Sequence, residues 1–274
     1  ASLALAATMA GCSNSGAGES SSASNPSSSA GQNRLEQIKQ AGKIVFVTSP
    51  DYAPYEFIDL DKMGQGDDQY VGADIELGVE LEIHPMDFDS VLASVTENKC
   101  DMAISGIASK PERAEKMDFS TPYKNKQENS QGIMIRKEDS GIYTSVETVN
   151  KPEVKVGAQN GSIQMEGAQQ MLPDSNIGPI AKLGDGILQL QSGKIDALVI
   201  STTTGQGYCD SYPELMMADI PWDLFSDGSA VAIPKGNPEL LEEINRIIGD
   251  VKEQGLYEKW LEGAQVLAAQ QKEE

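Results

Sequence analysis

The residue whose type and position most directly suggest chemistry is Arg113, in the segment SGIASKPERAEK. Pro111 suits the first position of a helix, which would put Arg113 in the first turn, beside backbone N–H groups without helical partners. A guanidinium fork together with such donors matches a carboxylate in geometry and in charge. The sequence therefore predicts a carboxylate-binding site. The alternative is a surface arginine paired with Glu112 or Glu115.

Two tyrosines, Tyr52 and Tyr55, follow a predicted strand at residues 44–48 and lie in an irregular stretch with Pro50 and Pro54. Ligands of open α/β sheets bind outside the carboxyl ends of the strands. An aromatic ring at that place can pack against the side chain or amide of a ligand. The alternative is that these tyrosines fold onto their own domain.

Three further residues have the types that an anion-binding site uses. Gly106 would let backbone groups approach a ligand closely. Gly161 and Ser162 fall between a predicted strand at 154–159 and a helix, where N–H groups of the helix N-terminus can bind an anion. A phosphate loop is the competing interpretation, but the segment lacks the GxxxxGK[ST] spacing.

Composition and charge exclude several kinds of site and partner. The 274 residues include 42 acidic and 21 basic side chains, for a formal net charge of −21. Such a surface repels nucleic-acid phosphates and anionic lipid headgroups. The only histidine is His84, at the predicted end of a strand, and the three cysteines are too far apart for zinc or iron–sulfur spacings. We therefore expect no metal, no cofactor and no nucleic-acid partner.

Short apolar runs alternate with helical patterns from Arg34 onward. Strands are predicted at residues 44–48, 80–85, 101–107, 132–137, 154–159, 196–201 and 230–235. Amphipathic helices are predicted around residues 88–95 and 186–193. Strands that alternate with helices are typical of an α/β fold with largely parallel sheets.

The clearest predicted helix begins after Asn237, a good N-cap residue, with Pro238 in the first helical position. Apolar residues at helical spacing form one face over residues 240–251, and Gly255 is placed to end the helix. We expect that face to pack in the core.

The N-terminal segment is predicted to be processed and not to fold. Residues 1–12 (ASLALAATMAGC) resemble the end of a bacterial lipobox, in which Cys12 is lipidated and becomes the first mature residue. Residues 13–33 are rich in Ser, Gly, Ala and Asn, a composition typical of a flexible tether. An ordinary signal peptide with a chance cysteine is the alternative. Cys100 and Cys209 either pair or stay free.

Four segments follow one another along the chain: 49–57 (SPDYAPYEF), 101–123, 154–164 with 190–200, and 227–261. Together they resemble the bacterial extracellular solute-binding proteins of family 3, the amino-acid-binding proteins of ABC importers. The resemblance implies a periplasmic-binding-protein-like type II fold, with two α/β lobes, two crossover strands and a ligand cleft between the lobes. Lobe 1 would comprise residues 34–126 and 227–274, and lobe 2 residues 127–226.

The resemblance also implies a function and partners. The protein would capture an amino acid or related small carboxylate by lobe closure and deliver it to an ABC permease with its ATPase. It would act as a monomer at the extracytoplasmic face of the cell membrane, held there by its lipid anchor only. The alternatives are a ligand-sensing module, or a periplasmic enzyme of the dehydratase or lyase type that uses an acid such as Asp185 or Glu166.

By the same resemblance, three residues receive roles in the cleft. Arg113 would hold the α-carboxylate of the ligand, and Ser162 with its neighbouring N–H groups would contact that carboxylate from the opposite lobe. Tyr52 would pack against the ligand.

Two positions depart from the family pattern. Ser201 stands where the family has an acid that pairs with the α-ammonium, and a hydroxyl brings no charge to that contact. Ala108 stands where a hydroxyl residue is usual. Either Ser105, Ser109 or Asp51 compensates, or the ligand is an unusual amino acid or another small carboxylate.

Overall fold

Helices and strands alternate in the computed structural model, which describes residues 33–63, 70–71, 80–124, 130–222, 226 and 228–270. Within these ranges the α-helices are α1 (Arg34–Ala41), α2 (Phe88–Thr96), α3 (Pro111–Ala114), α4 (Val146–Val149), α5 (Ile163–Met171), α6 (Leu183–Gln191), α7 (Thr202–Ser211), α8 (Pro238–Glu253) and α9 (Leu256–Gln270). The strands are β1 (Lys43–Thr48), β2 (Asp51–Tyr52), β3 (Glu56–Ile58), β4 (Tyr70–Val71), β5 (Glu80–Pro85), β6 (Met102–Ala103), β7 (Met117–Phe119), β8 (Gln131–Arg136), β9 (Lys155–Gln159), β10 (Asn176–Ile180), β11 (Ala197–Ser201), β12 (Leu215–Met217) and β13 (Ala232–Pro234).

The first sheet has the strand order β5-β1-β6-β13-β7. Strand β1 runs parallel to β5 and β6, whereas β13 is antiparallel to β6 and β7. Both faces of β1 are covered, because Ile44 and Phe46 pack with residues of α1 and α8, and Val47 packs with α2. A strand covered on both faces has to be apolar throughout, and the run IVFV meets that condition.

The second sheet has the order β10-β9-β11-β8-β12. Strand β9 is parallel to β10 and β11, and β8 is antiparallel to β11 and β12. Successive residues of β11 face opposite sides of the sheet: Ala197 and Val199 pack with α5, while Leu198 and Ile200 pack with α6. This sheet is therefore also covered on both faces.

A small antiparallel sheet, β2-β3-β4, follows β1 and shapes the loop that carries the two tyrosines. Its register places Tyr52 opposite Glu56 and Asp51 opposite Phe57. Residues opposite one another in an antiparallel pair are close in space. Glu56 is thereby brought beside Tyr52.

The prediction of largely parallel sheets was wrong, because both large sheets are mixed. Parallel neighbours need a crossover connection, usually a helix. Strands β8 and β13 instead follow the two passages of the chain from one sheet to the other. Among the described residues, no α-helix lies between β7 and β8 or between β12 and β13, and both strands are antiparallel to their neighbours.

The predicted strand at 101–107 is much shorter than expected, since only Met102–Ala103 pair in the sheet. Gly106 has a positive φ of 55°, which takes the chain out of the extended conformation just after Ser105. The rest of this segment is a loop that faces the candidate site.

Helix α8 confirms the predicted apolar face, with Leu240, Ile244 and Ile248 buried. The predicted cap was wrong in its chemistry. The Asn237 side chain makes no cap hydrogen bond to the helix, and its Nδ2 donates to the Pro234 carbonyl at 2.8 Å. Gly255, with a φ of 61°, lies between α8 and α9 as predicted.

Cys100 and Cys209 are free thiols, which decides between the two alternatives for them. Burial raises the pKa of the Cys100 thiol to about 12.

No helix in the described ranges is both long and apolar enough to cross a membrane. Cys12, nearly all of the tether and the predicted lobe boundary at 126/127 lie outside the described residues.

Candidate functional site

Arg113 lies in the first turn of α3, with Pro111 in the first helical position as predicted. Its side chain is buried, at 8% exposure, and its two terminal nitrogens donate to the carbonyls of Ala108 and Gly161, each at 2.9 Å. Burial lowers the pKa of the guanidinium. Neither Glu112 nor Glu115 pairs with it, and no carboxylate of the described residues does so. The alternative of an ion-paired surface arginine was therefore wrong.

Arg136 gives a comparison within the same chain. Its guanidinium also donates to two carbonyls, those of Leu190 and Ile195, each at 2.8 Å. Unlike Arg113, it is also paired with an acid, Asp139, at 2.6 Å. The partly buried cation at Arg136 is thus paired with an acid, whereas no acid among the described residues pairs with Arg113.

Gly161 and Ser162 form the N-terminal turn of α5. The Ser162 hydroxyl accepts the Met165 N–H at 3.1 Å and donates to the Gln159 carbonyl at 2.6 Å. It is therefore engaged as the helix N-cap. Gly161 has a φ of 73°, and its carbonyl is one of the two that accept from Arg113. The positive end of α5 and the guanidinium thus lie side by side.

A cavity lies between the elements of the two large sheets, and most of the predicted ligand residues line it. They are Tyr52, Ser105, Gly106, Ala108, Arg113 and Ser162. Asp51, considered as a compensating residue, lines it too. Residues not singled out from the sequence complete the lining: Ser49, Glu56, Phe88, Gln131, Gln159, Ile163 and Gln164.

The remaining predicted residues lie next to this lining. Gly161 contributes its carbonyl to Arg113. The Tyr55 ring stacks on Tyr52, with 5.4 Å between ring centroids, and the ammonium of Lys124 lies 3.6 Å from the centre of the Tyr55 ring. Tyr55 thus supports Tyr52 from outside the cavity.

Ser201 is fully buried at the N-terminus of α7, where its hydroxyl accepts the Thr204 N–H at 3.4 Å. A hydrogen bond from Ser201 also lowers the pKa of the Tyr52 phenol, although burial has the larger effect and raises it. The structure therefore places Ser201 against Tyr52 and outside the cavity lining.

Glu56 is the most informative residue that sequence reasoning missed. It is 6% exposed and lines the cavity, and its Oε1 has no hydrogen-bond partner among the described residues. Burial raises the pKa of this carboxyl to about 8, against the opposing effect of the Lys124 charge. In the sequence, Glu56 stands between two aromatic residues, Tyr55 and Phe57. A short hairpin over this segment would have placed it opposite Tyr52, as the structure does.

Ala108 and Ser105 take part through contacts that the sequence did not indicate. The backbone carbonyl of Ala108, and not a side-chain hydroxyl, anchors Arg113. The Ser105 hydroxyl accepts the Ser49 N–H at 3.0 Å, which ties the loop after β6 to the end of β1.

Residues Asn33–Glu274 form one compact unit, in which two covered α/β sheets contribute opposite walls to a single cavity. This is the architecture of type II periplasmic binding proteins. The chain belongs to the bacterial extracellular solute-binding proteins, family 3, whose family model matches residues 44–263.

Individual relatives carry more specific names. The chain is 30% identical over 236 residues to the arginine-binding extracellular protein ArtP of Bacillus subtilis (strain 168), covering 81% of this chain and 87% of that protein. It superposes with a TM-score of 0.77 and 38% identity on AbpA of Streptococcus pneumoniae, an amino acid ABC transporter substrate-binding protein crystallised with L-arginine, covering 85% of this chain and 99% of AbpA. A third likeness, with a TM-score of 0.73 and 31% identity over 84% of this chain and 98% of the other, is to the ancestral amino-acid-binding protein AncCDT-1, a precursor of cyclohexadienyl dehydratase.

Proposed function

We propose that this protein is the extracytoplasmic substrate-binding subunit of an amino-acid ABC importer. Residues 34–126 with 227–274 form one lobe and residues 127–226 the other, and the lobes close on the ligand. The protein acts as a monomer, is held at the membrane by a lipid on Cys12, and delivers its ligand to a permease with its ATPase. Its task is capture and not catalysis.

The observation that carries this proposal is the guanidinium of Arg113, which lies in the cavity lining without a carboxylate partner among the described residues. Removing a charge from water costs several kcal/mol unless an opposite charge compensates it. At Arg136 an acid of the protein gives this compensation, and at Arg113 a ligand carboxylate would. The adjacent N-terminus of α5 favours the same negative charge.

The rest of the cavity supports a ligand that also carries hydrogen-bond donors. Glu56 offers its Oε1, an acceptor without a partner among the described residues, and Asp51 is a second acid of the lining. A cationic side chain of an amino acid could lie beside these acids while its carboxylate meets the guanidinium of Arg113. Because ArtP is named for arginine binding and AbpA was crystallised with L-arginine, L-arginine is the first ligand to test.

A thermal-shift screen with the standard amino acids tests the proposal. A ligand at 100 times its dissociation constant adds about 2.7 kcal/mol of stability, which raises the melting temperature visibly. We expect L-arginine to give such a shift and agmatine, which is arginine without its carboxylate, to give none. The absence of a shift with every amino acid, or an equal shift with agmatine, would contradict the proposal.

The enzyme alternative has less support from the site. Glu166 is bonded to Lys110, and Asp185 lies on the exposed surface of α6. Neither of these acids lines the cavity. The likeness to a dehydratase precursor is a likeness to a protein named as amino-acid-binding. The acids that do line the cavity are Asp51 and Glu56, and we infer that they bind the ligand without transforming it.

Gly106 gives a test of how closely the backbone approaches Tyr52. An added Cβ would lie 3.0 Å from Tyr52 Cε1, in a backbone of positive φ. We expect Gly106→Ala to cost about 1 kcal/mol of stability through backbone strain. It should also weaken amino-acid binding roughly tenfold, because overpacking displaces the Tyr52 ring.

Gly42→Ala is the matched control, since Gly42 has a φ of 74° but nothing within 4 Å of its added Cβ. Thermal melts of both variants measure the cost of backbone strain, and calorimetric titrations measure the effect of displacing the Tyr52 ring on amino-acid affinity. Gly42→Ala should lose stability without losing affinity. Equal affinity of the two variants would show that Tyr52 is not positioned by this contact.

A further inference from the structure

The N-terminus of helix α6 has no cap from its own segment. The N-cap residue, Lys182, has an extended backbone and makes no side-chain cap hydrogen bond. The first N–H groups of any helix lack partners within that helix. In α6 the first of them, the Leu183 N–H, instead donates to Asp51 Oδ2 at 2.8 Å.

Asp51 and α6 belong to different parts of the structure. Asp51 follows β1 of the first sheet, and α6 packs on the second sheet, 132 residues further along the chain. The same carboxylate accepts a hydrogen bond from Gln159 Nε2, at the end of β9, at 3.3 Å. One acid, in the small sheet that follows β1, therefore holds two elements of the second large sheet.

The carboxylate is itself held in place. The Ser49 hydroxyl donates to Asp51 Oδ1 at 2.8 Å, which leaves Oδ2 directed at Leu183 and Gln159. A negative charge at a helix N-terminus is also favoured by the helix dipole. Burial raises the pKa of Asp51, while these hydrogen bonds oppose the rise.

Other contacts between the two parts reach a different helix. Asp89 accepts from Asn160 Nδ2 at 2.8 Å, and Lys110 pairs with Glu166, both near the start of α5. Among these contacts between described residues, Asp51 is thus the carboxylate that reaches α6, whereas Asp89 and Lys110 contact residues near the start of α5.

The geometry points to Asp51 as a positioning residue that holds the two walls of the cavity together by capping α6 from across it. When the walls separate, α6 loses its N-terminal cap, so that closure and helix stability are coupled through this one carboxylate. Because Asp51 also lines the cavity, the role has to be separated from direct contact with a ligand. The affinity measurement below rests on the proposed function, whereas the exchange measurement does not.

Amide hydrogen exchange of the first turn of α6, measured on the ligand-free chain, tests the role directly. We expect Asp51→Ala to speed exchange there about fivefold to tenfold, in keeping with the worth of a helix cap. Asp51→Asn keeps an acceptor oxygen and should retain most of the protection. Asp89→Ala is the control, with exchange in α6 unchanged.

A new N-cap residue in the segment before α6 distinguishes an effect of Asp51 on the stability of that helix from an effect on closure of the cavity. Lys182→Asp in the Asp51→Ala background should restore protection and thermal stability of α6, because Asp is a good N-cap residue. It should not restore amino-acid affinity, which we expect to fall about tenfold in Asp51→Ala. If amino-acid affinity also recovered, the bridging role would be wrong, and Asp51 would only stabilise the N-terminus of α6. Unchanged exchange in Asp51→Ala would also overturn it, whatever the affinity does.

Discussion

Replacing Arg113 with alanine is expected to remove amino-acid binding while leaving the ligand-free protein folded. Truncating one partner of a buried charge pair costs about 3–5 kcal/mol. That corresponds to a dissociation constant raised by roughly two to three and a half orders of magnitude. The ligand-free fold should tolerate the change, because the lost guanidinium is a buried cation without an acid partner among the described residues. Calorimetric titration with L-arginine and a thermal melt measure the two effects.

Two other variants make this experiment specific. Arg113→Lys keeps the charge but not the fork that holds a carboxylate with two bonds, so its affinity should be intermediate. Arg136→Ala removes an arginine that is paired with Asp139, and should lower stability while leaving affinity unchanged. Wild-type affinity in Arg113→Ala would refute the assigned role. So would a loss of stability as large as that of Arg136→Ala, which would mark Arg113 as structural.

Amino-acid binding is expected to strengthen as the pH rises from 6 to 8, through Glu56. Below its pKa of about 8, this carboxyl is mostly protonated in the ligand-free cavity. A cationic group of a ligand favours the carboxylate and lowers that pKa, so binding releases a proton. The affinity should therefore fall up to about tenfold for each pH unit below 8, where one proton is released.

Titrations in buffers of different ionisation enthalpy would count the released proton. Glu56→Gln, which cannot ionise, should bind a cationic amino acid more weakly at pH 8 and with an affinity that is nearly constant from pH 6 to 8. A wild-type affinity without pH dependence, or an unchanged dependence in Glu56→Gln, would show that Glu56 does not meet the cationic group. Glu166→Gln is the control, because that acid is bonded to Lys110 outside the cavity lining.

Local patterns in the sequence predicted the local structure of the site well. Pro111 takes the first position of α3 and presents Arg113 in its first turn, and the strand before Gly161 leads into helix α5. These features depend on the backbone preferences of single residues and on short apolar runs, both of which can be recognised in the local sequence. The apolar face of α8 was predictable for the same reason.

Features that depend on distant parts of the chain were not predictable in this way. The direction of β8 and β13 depends on how the chain passes between the sheets, which no local pattern records. One partner of Asp51 is the backbone N–H of Leu183, which lies far along the chain and which no residue type in the sequence indicates. Glu56 is buried, with no partner for Oε1 among the described residues, only because the hairpin packs against Gly106.

The central claim, that this cavity captures an amino acid by its carboxylate, is tested most directly by a crystal structure of the protein grown with L-arginine. The account predicts the ligand carboxylate within about 3 Å of the terminal nitrogens of Arg113, and the rest of the ligand against Tyr52 and Glu56. A carboxylate bound away from Arg113, or a cavity without ligand at saturating arginine and every other amino acid, would contradict it.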